Sequence, residues 1–417
     1  MLCAKYASVL STSLNSQPAL LPPMILKVDE QIWKVNSNRG AARNQTDIKQ
    51  AEIKRQISHM VDIGVILASQ AEYYSQVHLT PKPNKAWRFC IDYRALNTAS
   101  QGMGWPIPNI PEMLQRLGAK RPKYFAKIDL TNGYHQAPLS VDSRVHTAFT
   151  THMGVYEWLR VPMGLKGAPA YFQEAIAGVL RGLLYDTCEL YIDDIIVHGQ
   201  TKEEFLHILE EVFKRLAKHK ITVNPKKCLI GHNEVEFVGH VVNEHGLSFS
   251  RDRIEKVMDI KEPVYGKELK AFLGVAGYFH AHIRDYATVS RPLHKMIQAY
   301  ERNRKLSWTE EGRTAFHTLK KAINECPKLF FVKDGSPIFL HTDASDFGVG
   351  GYLFQVVDGE EQPIAFVSKN VDKGRTAVDN HGEGGFRNCV LPQEARIPYQ
   401  GSNFHSPHRP QKSYLYR

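Results

Sequence analysis

Two adjacent carboxylates, Asp193 and Asp194, interrupt an otherwise apolar run in CELYIDDIIVHG (188–199), and no other feature constrains this chain as tightly. Apolar β-type residues on both sides of the charges read as a hairpin with the acids at its turn. Carboxylates that close repel one another unless a cation offsets them. Alone, an Asp-Asp turn reads most simply as a solvated one. A second strand-like run, YFAKIDL (124–130), changes the weighing, because it ends on Asp129, 64 residues before Asp193. The intervening chain is long enough for a helix and loops to bring the two strands side by side. Three carboxylates on neighbouring strand ends suffice for two Mg²⁺ ions, since Mg²⁺ commonly takes part of its coordination from substrate phosphates. Such a pair stabilises the attacking and leaving oxygens of an in-line phosphoryl displacement.

Elsewhere the hydrophobic period alternates between helix and strand. Ile53, Ile57, Met60 and Val61 share a helical face that Gly64 ends. Ser75–Thr80 and Trp87–Ile91 read as strands joined by the turn-like PKPNKA. Ala168-Pro169 opens a helix with Phe172, Ile176, Val179, Leu180 and Leu183 at helical spacing. An amphipathic helix follows the acidic hairpin, with Phe205, Leu209, Val212, Phe213 and Leu216 on one face. The alternation at Val235–Val242 and Leu247–Phe249 predicts a hairpin turning at Asn243–Gly246. From Arg251 to about Asn324 the pattern is mainly helical, and from Pro337 it returns to strands: PIFLHTDAS, GVGGYLFQVV and QPIAFVSK. Residues 1–45 show no sustained period and read as a poorly ordered lead-in. Residues 371–417 lose apolar periodicity and read as a disordered tail.

At roughly 150 residues per domain, 417 residues allow two or three domains. With 43% hydrophobic and 23% charged residues, disorder throughout, collagen and a disulfide-stapled miniprotein are excluded. A formal charge of +10 suggests a polyanionic partner, most often nucleic acid, although basicity also serves solubility. The six cysteines form no C-x-x-C pair, which favours a reduced intracellular compartment over secretion. Cys228, His232 and His240 lack a second close pair to complete a zinc site. No apolar run approaches the ~20 residues of a membrane span. The first 28 residues lack Asp and Glu, like a transit peptide, but they also lack Arg, and an arbitrary start explains them better.

WRFCIDYRALN, FAKIDLTNGYHQAPL, VPMGLKGAPAYFQ, LYIDDIIVHG, FVGHVVNEHG and KELKAFLGVAGYFHAHI occur in that order between residues 87 and 283. Together they resemble the reverse transcriptase of gypsy-type LTR retrotransposons, a relative of retroviral Pol polyproteins. The resemblance runs from about residue 50 to about residue 370. It implies an α+β right-hand polymerase followed by a truncated RNase H-like α/β domain. Fingers and palm would span 46–250, the thumb 251–300 and the partial RNase H-like domain 301–370. It makes Asp129, Asp193 and Asp194 the catalytic metal ligands for two Mg²⁺ ions, with Mn²⁺ as a possible substitute. The partners it implies are dNTPs and an RNA or DNA template carrying a DNA primer, with no membrane. If the chain is expressed, the place implied is a cytoplasmic virus-like particle.

Further roles follow from the same resemblance. Lys82 and Arg88 match fingers residues that touch the incoming triphosphate; without it they would read as two solvated cations. Tyr134 matches the aromatic steric gate under the nucleotide sugar, and Met163 and Gly164 line the template–nucleotide pocket. Val238, Gly239 and His240 match the primer-grip hairpin. Lys267 and Lys270 would follow the duplex backbone from a thumb helix. Three departures stand out. The family usually has Phe where Met163 stands, SQAEYYSQVHL lacks the family's frequent prolines, and the RNase H pattern breaks off. Asp343 resembles the first RNase H acid, but no amphipathic helix follows Asn370, and Glu383 lies between glycines. One carboxylate cannot organise two metals, so no RNase H activity is expected. A shifted frame or misjudged exon would explain the break. The competing expectation is a degenerate Pol remnant that at most binds nucleic acid. A telomerase-type cellular polymerase would not predict the gypsy-type thumb motif.

Overall fold

The computed structural model describes residues 2–82, 86–298, 305–345 and 348–370. The chain divides into two compact units between Val238 and Gly239, twelve residues before the expected end of fingers and palm. The expected disordered tail and Glu383 lie outside the described residues.

The first unit opens with a segment that sequence reasoning left without order. Residues 2–45 in fact bury Val9, Met24 and Trp33 in the unit's main core. Their backbone bonds go to distant segments: Ser11 N donates to Val223 O, Met24 N to Pro138 O and Asp29 N to Ala99 O. Helix α1 (Asp47–Asp62) then turns Ile53 and Ile57 inward and ends near Gly64, whose φ of +64° suits glycine. Val61, expected on the buried face, is exposed.

Five strands form one mixed sheet in the order β1-β6-β5-β2-β3: β1 (Ile66–Ala68), β2 (Ser75–Pro81), β3 (Trp87–Ile91), β5 (Phe149–Thr151) and β6 (Gly154–Trp158). The β2–β3 hairpin pairs Thr80 with Arg88. A second sheet, all antiparallel, has the order β7-β8-β4-β9: β4 (Tyr124–Asp129), β7 (Cys188–Tyr191), β8 (Asp194–Gly199) and β9 (Leu229–His232). Helices α2 (Ile110–Ala119), α3 (Ala168–Val179) and α4 (Lys202–Lys218) accompany it. Thr201 and Glu204 cap α4 reciprocally, satisfying N–H groups that its first turn leaves unpaired. Phe125 and Ile128 of β4 are fully buried, each contributing roughly 1.5–3 kcal/mol, and this anchors the strand whose last residue is Asp129.

The expected hairpin at 235–249 is a meander with an additional turn. Strand β10 (Glu234–Phe237) stops where Val238 and Gly239 take φ of +40° and +80°, and β11 (His240–Asn243) then pairs antiparallel with β12 (Gly246–Ser248). A β-branched residue at positive φ is an outlier, so the unbroken apolar pattern gave no sign of this turn.

In the second unit, β13 (Leu329–Phe330) extends β12. Helices α5 (Arg251–Met258), α6 (Gly266–Gly277), α7 (Tyr286–Gln298) and α8 (Glu310–Asn324) share one core around Phe272, Leu293, Phe316 and Leu319. Helix α8, expected in the partial RNase H-like domain, packs against α7 and α5. Strands β14 (Ile338–Ser345), β15 (Gly348–Val357) and β16 (Glu360–Asn370) make a separate antiparallel sheet with a bulge at Leu353/Phe354.

Candidate active site

The acidic pair sits on a hairpin as tight as its sequence suggests. Tyr191 pairs with Asp194, leaving Ile192 and Asp193 to make the turn. Ile192 takes φ of +59°, a strained setting for a β-branched side chain. Gln173, buried on α3, holds it: Ile192 N donates to Gln173 Oε1 at 2.6 Å, and Gln173 Nε2 donates to Leu190 O at 3.2 Å.

On the other side of β8 runs β4, in a register that makes Asp129 the direct partner of Asp194. Residues directly opposite in an antiparallel pair point to the same face with Cβ atoms about 5 Å apart. The register thus brings Asp129 and Asp194 to one sheet end, with Asp193 next to them at the turn. Gly133 closes the other side, where an added Cβ would lie 3.5 Å from Asp193 Cβ and 3.4 Å from the Phe172 ring.

Two lysines answer this charge. Lys127, two residues before Asp129 and so on the same face of β4, places Nζ 3.4 Å from Asp194 Oδ1. Lys227 places Nζ 3.4 Å from both Asp129 oxygens. Among the described residues no ion pair reaches Asp193, although Lys127, paired with Asp194, acts on it at longer range. Desolvation by the surrounding turn, then the charges of Asp194 and Asp129, raise its carboxyl above the ordinary value, although the residue is exposed overall.

Among the described residues, no three Asp, Glu, His or Cys side chains stand close enough for a closed cation cage. The donor set nevertheless fits Mg²⁺. The three carboxylates offer hard oxygens open to solvent, and the like charges of Asp194 and Asp129 around Asp193 are ones a cation would offset.

Tyr134 is brought to this site. It is half-buried, its ring centroid lies 5.2 Å from that of Phe172, and burial followed by the charge of Asp193 pushes its hydroxyl pKa up to about 12. Met163 is 58% exposed beside Gly164, whose φ of +97° suits a residue without a side chain. Asn97 pins that loop, donating to Gly164 O at 2.9 Å and accepting from Lys166 N at 2.7 Å. Lys82 and Arg88 are exposed on the β2–β3 hairpin.

The remaining expected residues belong elsewhere. Val238 and Gly239 form the turn before β11, and Arg253 Nη1 donates to Gly239 O at 2.6 Å. The His240 imidazole is buried, bonded through Nδ1 to the Tyr278 hydroxyl at 2.9 Å and packed on Phe249. Asp343 is exposed on β14 opposite Gly350, and a Cβ at Gly350 would meet Asp285 Oδ1 at 2.6 Å. Lys267 and Lys270 are exposed on α6, flanking buried Leu269.

Sequence reasoning missed Gln173, Lys127 and Lys227. The first carried a signal, an amide one residue from Phe172 on an otherwise apolar helix face. Lys127 carried one too, a charge inside a buried strand. Lys227 carried none, because its approach to Asp129 is set by a loop.

Residues 80–242 match the family model of reverse transcriptase (RNA-dependent DNA polymerase), and residues 308–382 that of the RNase H-like domain found in reverse transcriptase. The retrovirus-related Pol polyprotein from transposon opus of Drosophila melanogaster is 35% identical over 335 residues, covering 77% of this chain and 33% of that protein. Those from transposons 297 and gypsy of the same species are 34% and 29% identical, covering 77% and 76% of this chain and 30% and 32% of theirs. This chain thus spans about a third of the length of these curated relatives.

Among solved structures, the foamy viral protease-reverse transcriptase dRH in complex with double-stranded DNA matches with a TM-score of 0.76 and 26% identity. That match covers 89% of this chain and 64% of the other. The foamy viral protease-reverse transcriptase in complex with an RNA/DNA hybrid matches with a TM-score of 0.74 and 26% identity, over 89% of this chain and 49% of the other. The fold class is therefore α+β, the fingers, palm and thumb of a right-hand polymerase followed by an RNase H-like part. The chain belongs to the reverse transcriptase and RNase H-like region of the retrovirus-related Pol polyproteins of LTR retrotransposons.

Proposed function

We propose that this chain is an RNA-directed DNA polymerase that extends a DNA primer on an RNA or DNA template. The observation that carries the reading is the register of Asp129 on Asp194 with Asp193 at the adjoining turn. Asp129, Asp193 and Asp194 would hold two Mg²⁺ ions, or Mn²⁺ in their place, which supply Lewis-acid activation of the primer 3′-OH and charge neutralisation at the dNTP phosphates. Lys127 and Lys227, which answer the carboxylates in this structure, give up those ion pairs when the site is loaded.

Lys82 and Arg88 contact the triphosphate, and their exposure supports that role. Tyr134 packs beneath the sugar and excludes a 2′-OH, while Met163 and Gly164 line the pocket for the template–nucleotide pair. The buried His240 side chain makes the backbone of Val238 and Gly239 the part of the primer grip that meets the strand. The exposed Lys267 and Lys270 follow the duplex. Fingers and palm extend to Val238, followed by the thumb and the RNase H-like part. The RNase H-like part does not cleave, because Asp343 is the one acid that its motif retains. No helix among the described residues is long and apolar enough to cross a membrane; a cytoplasmic virus-like particle is the proposed setting.

Mg²⁺-dependent extension of a DNA primer on an RNA template by the purified chain tests the reading. Incorporation no greater than that of an Asp193→Asn variant would contradict it. Salt-dependent binding of primer–template without incorporation would mark the chain as a non-catalytic remnant.

A further inference from the structure

The GYHQ segment after Asp129 ends on a buried polar side chain that the proposed mechanism does not use. Gln136 ends the short helix Gly133–Gln136 and is 4% exposed. Its carboxamide makes four hydrogen bonds. Nε2 donates to Thr131 O and Thr222 O, both at 2.8 Å. Oε1 accepts from Thr222 N at 2.7 Å and from Thr222 Oγ1 at 3.3 Å. Only an amide can donate to two carbonyls and accept at its oxygen in one buried place.

The two segments it joins bear on Asp129. Thr131 lies two residues past that carboxylate, and Thr131 N itself donates to Thr222 O at 3.0 Å. Asn224 N donates to Asp129 O at 2.9 Å, and Leu130 pairs with Val223. The same segment continues to Lys227, against the Asp129 oxygens, and to Cys228, whose Sγ accepts from Asp129 N at 3.4 Å. Gln136 thus takes the place of a ladder rung between the end of β4 and the strap carrying the residues that touch Asp129.

We propose that Gln136 is a positioning residue for the polymerase site, fixing where the Asp129 carboxylate stands relative to Lys227 and to a bound divalent cation. This rests on the reading of Asp129 as a metal ligand. Its role parallels that of Gln173, which holds the turn bearing Asp193; one buried glutamine serves each carboxylate-bearing backbone.

The test uses the full chain and a Gln136→Met variant, both kept well below the lower of their two melting temperatures. Direct Mn²⁺ binding is read by electron paramagnetic resonance of the free ion, and Mg²⁺ dependence by primer extension at saturating primer–template and dNTP. Partners one shell out from a metal typically cost 10–100-fold in affinity or activity when lost. The expected result is a Mn²⁺ affinity about 10-fold weaker, a Mg²⁺ midpoint moved up in parallel, and an unchanged primer–template affinity. A folded variant with unaltered Mn²⁺ affinity and Mg²⁺ midpoint would overturn the proposal, since a merely structural role lowers only the melting temperature. If Gln136→Met does not fold, Gln136→Asn, which keeps the amide but shortens its reach, is judged on the same readings. Wild-type activity lost in Asp193→Asn but indifferent to the Gln136 variant removes this inference alone. Wild-type activity indifferent to Asp193→Asn removes the reading beneath it.

Discussion

Arg116 on α2 and Glu189 on β7 form the most deeply placed ion pair near the acidic hairpin, and breaking it has a calculable effect. The fork is bidentate, Nε to Oε1 at 3.0 Å and Nη2 to Oε2 at 2.9 Å, and the Glu189 side chain is 2% exposed. Burial raises the Glu189 carboxyl above its ordinary value, and the Arg116 guanidinium opposes that rise. Arg116→Met removes the opposition and leaves a buried carboxylate uncompensated, which costs about 3–5 kcal/mol. The guanidinium is 35% exposed, so water can partly take its place, and the lower end, about 3 kcal/mol, is expected. That is roughly a hundredfold in the folded-to-unfolded ratio.

The sign of the pH dependence follows from the direction of the Glu189 shift. A carboxyl whose folded pKa lies above its unfolded value binds its proton more tightly in the folded state. The variant is therefore least impaired below the unfolded value of 4.5, and its deficit grows as pH rises through the raised folded pKa, then levels off. Urea unfolding at pH 5 and pH 8 measures this. A larger deficit at pH 8 is expected, and Glu189→Leu added to Arg116→Met should recover most of it, because a paired apolar replacement leaves no buried charge. Equal deficits at both pH values, or a loss below about 1 kcal/mol as for a surface pair, would refute the reasoning.

Two further outcomes follow from other contacts. Tyr134→Ala should raise ribonucleotide incorporation roughly 10-fold or more relative to dNTPs, measured by competing the two on one primer–template; unchanged sugar selectivity would remove Tyr134 as the gate. The buried Arg160 guanidinium donates to Asn15 O at 2.8 Å, Ser16 O at 2.7 Å and His135 O at 3.3 Å. Arg160→Met should cost about 2 kcal/mol, lower the melting temperature by about 4–8 °C and expose residues 11–20 to limited proteolysis; an unchanged cleavage pattern would count against that anchor.

The strands bearing the acids were legible because their apolar runs are short, β-branched and punctuated by charge at the ends. Their mutual register was not, since a pairing across 64 residues leaves no local trace. The order of residues 2–45 escaped for a related reason: Val9, Met24 and Trp33 follow no period because each fits a different place in the first unit's core, and the segment's backbone bonds from Ser11, Met24 and Asp29 go to Val223, Pro138 and Ala99. Arg160 likewise reads as an ordinary surface cation until the carbonyls around it are known. His240 shows the opposite failing, where a motif singled out a residue without any sign that its imidazole faces inward.

The central claim is that three carboxylates from two strand ends act as one unit in nucleotidyl transfer. Single-turnover incorporation of one dNTP on an RNA template, with primer–template affinity measured on the same preparations, tests it most directly. Asp129→Asn, Asp193→Asn and Asp194→Asn are each expected to lose on the order of 10³-fold or more in rate while still binding the duplex. The triple variant should be no worse than a single one, as for residues that work together. Near-wild-type incorporation by any of the three, or losses that multiply when combined, would contradict the account.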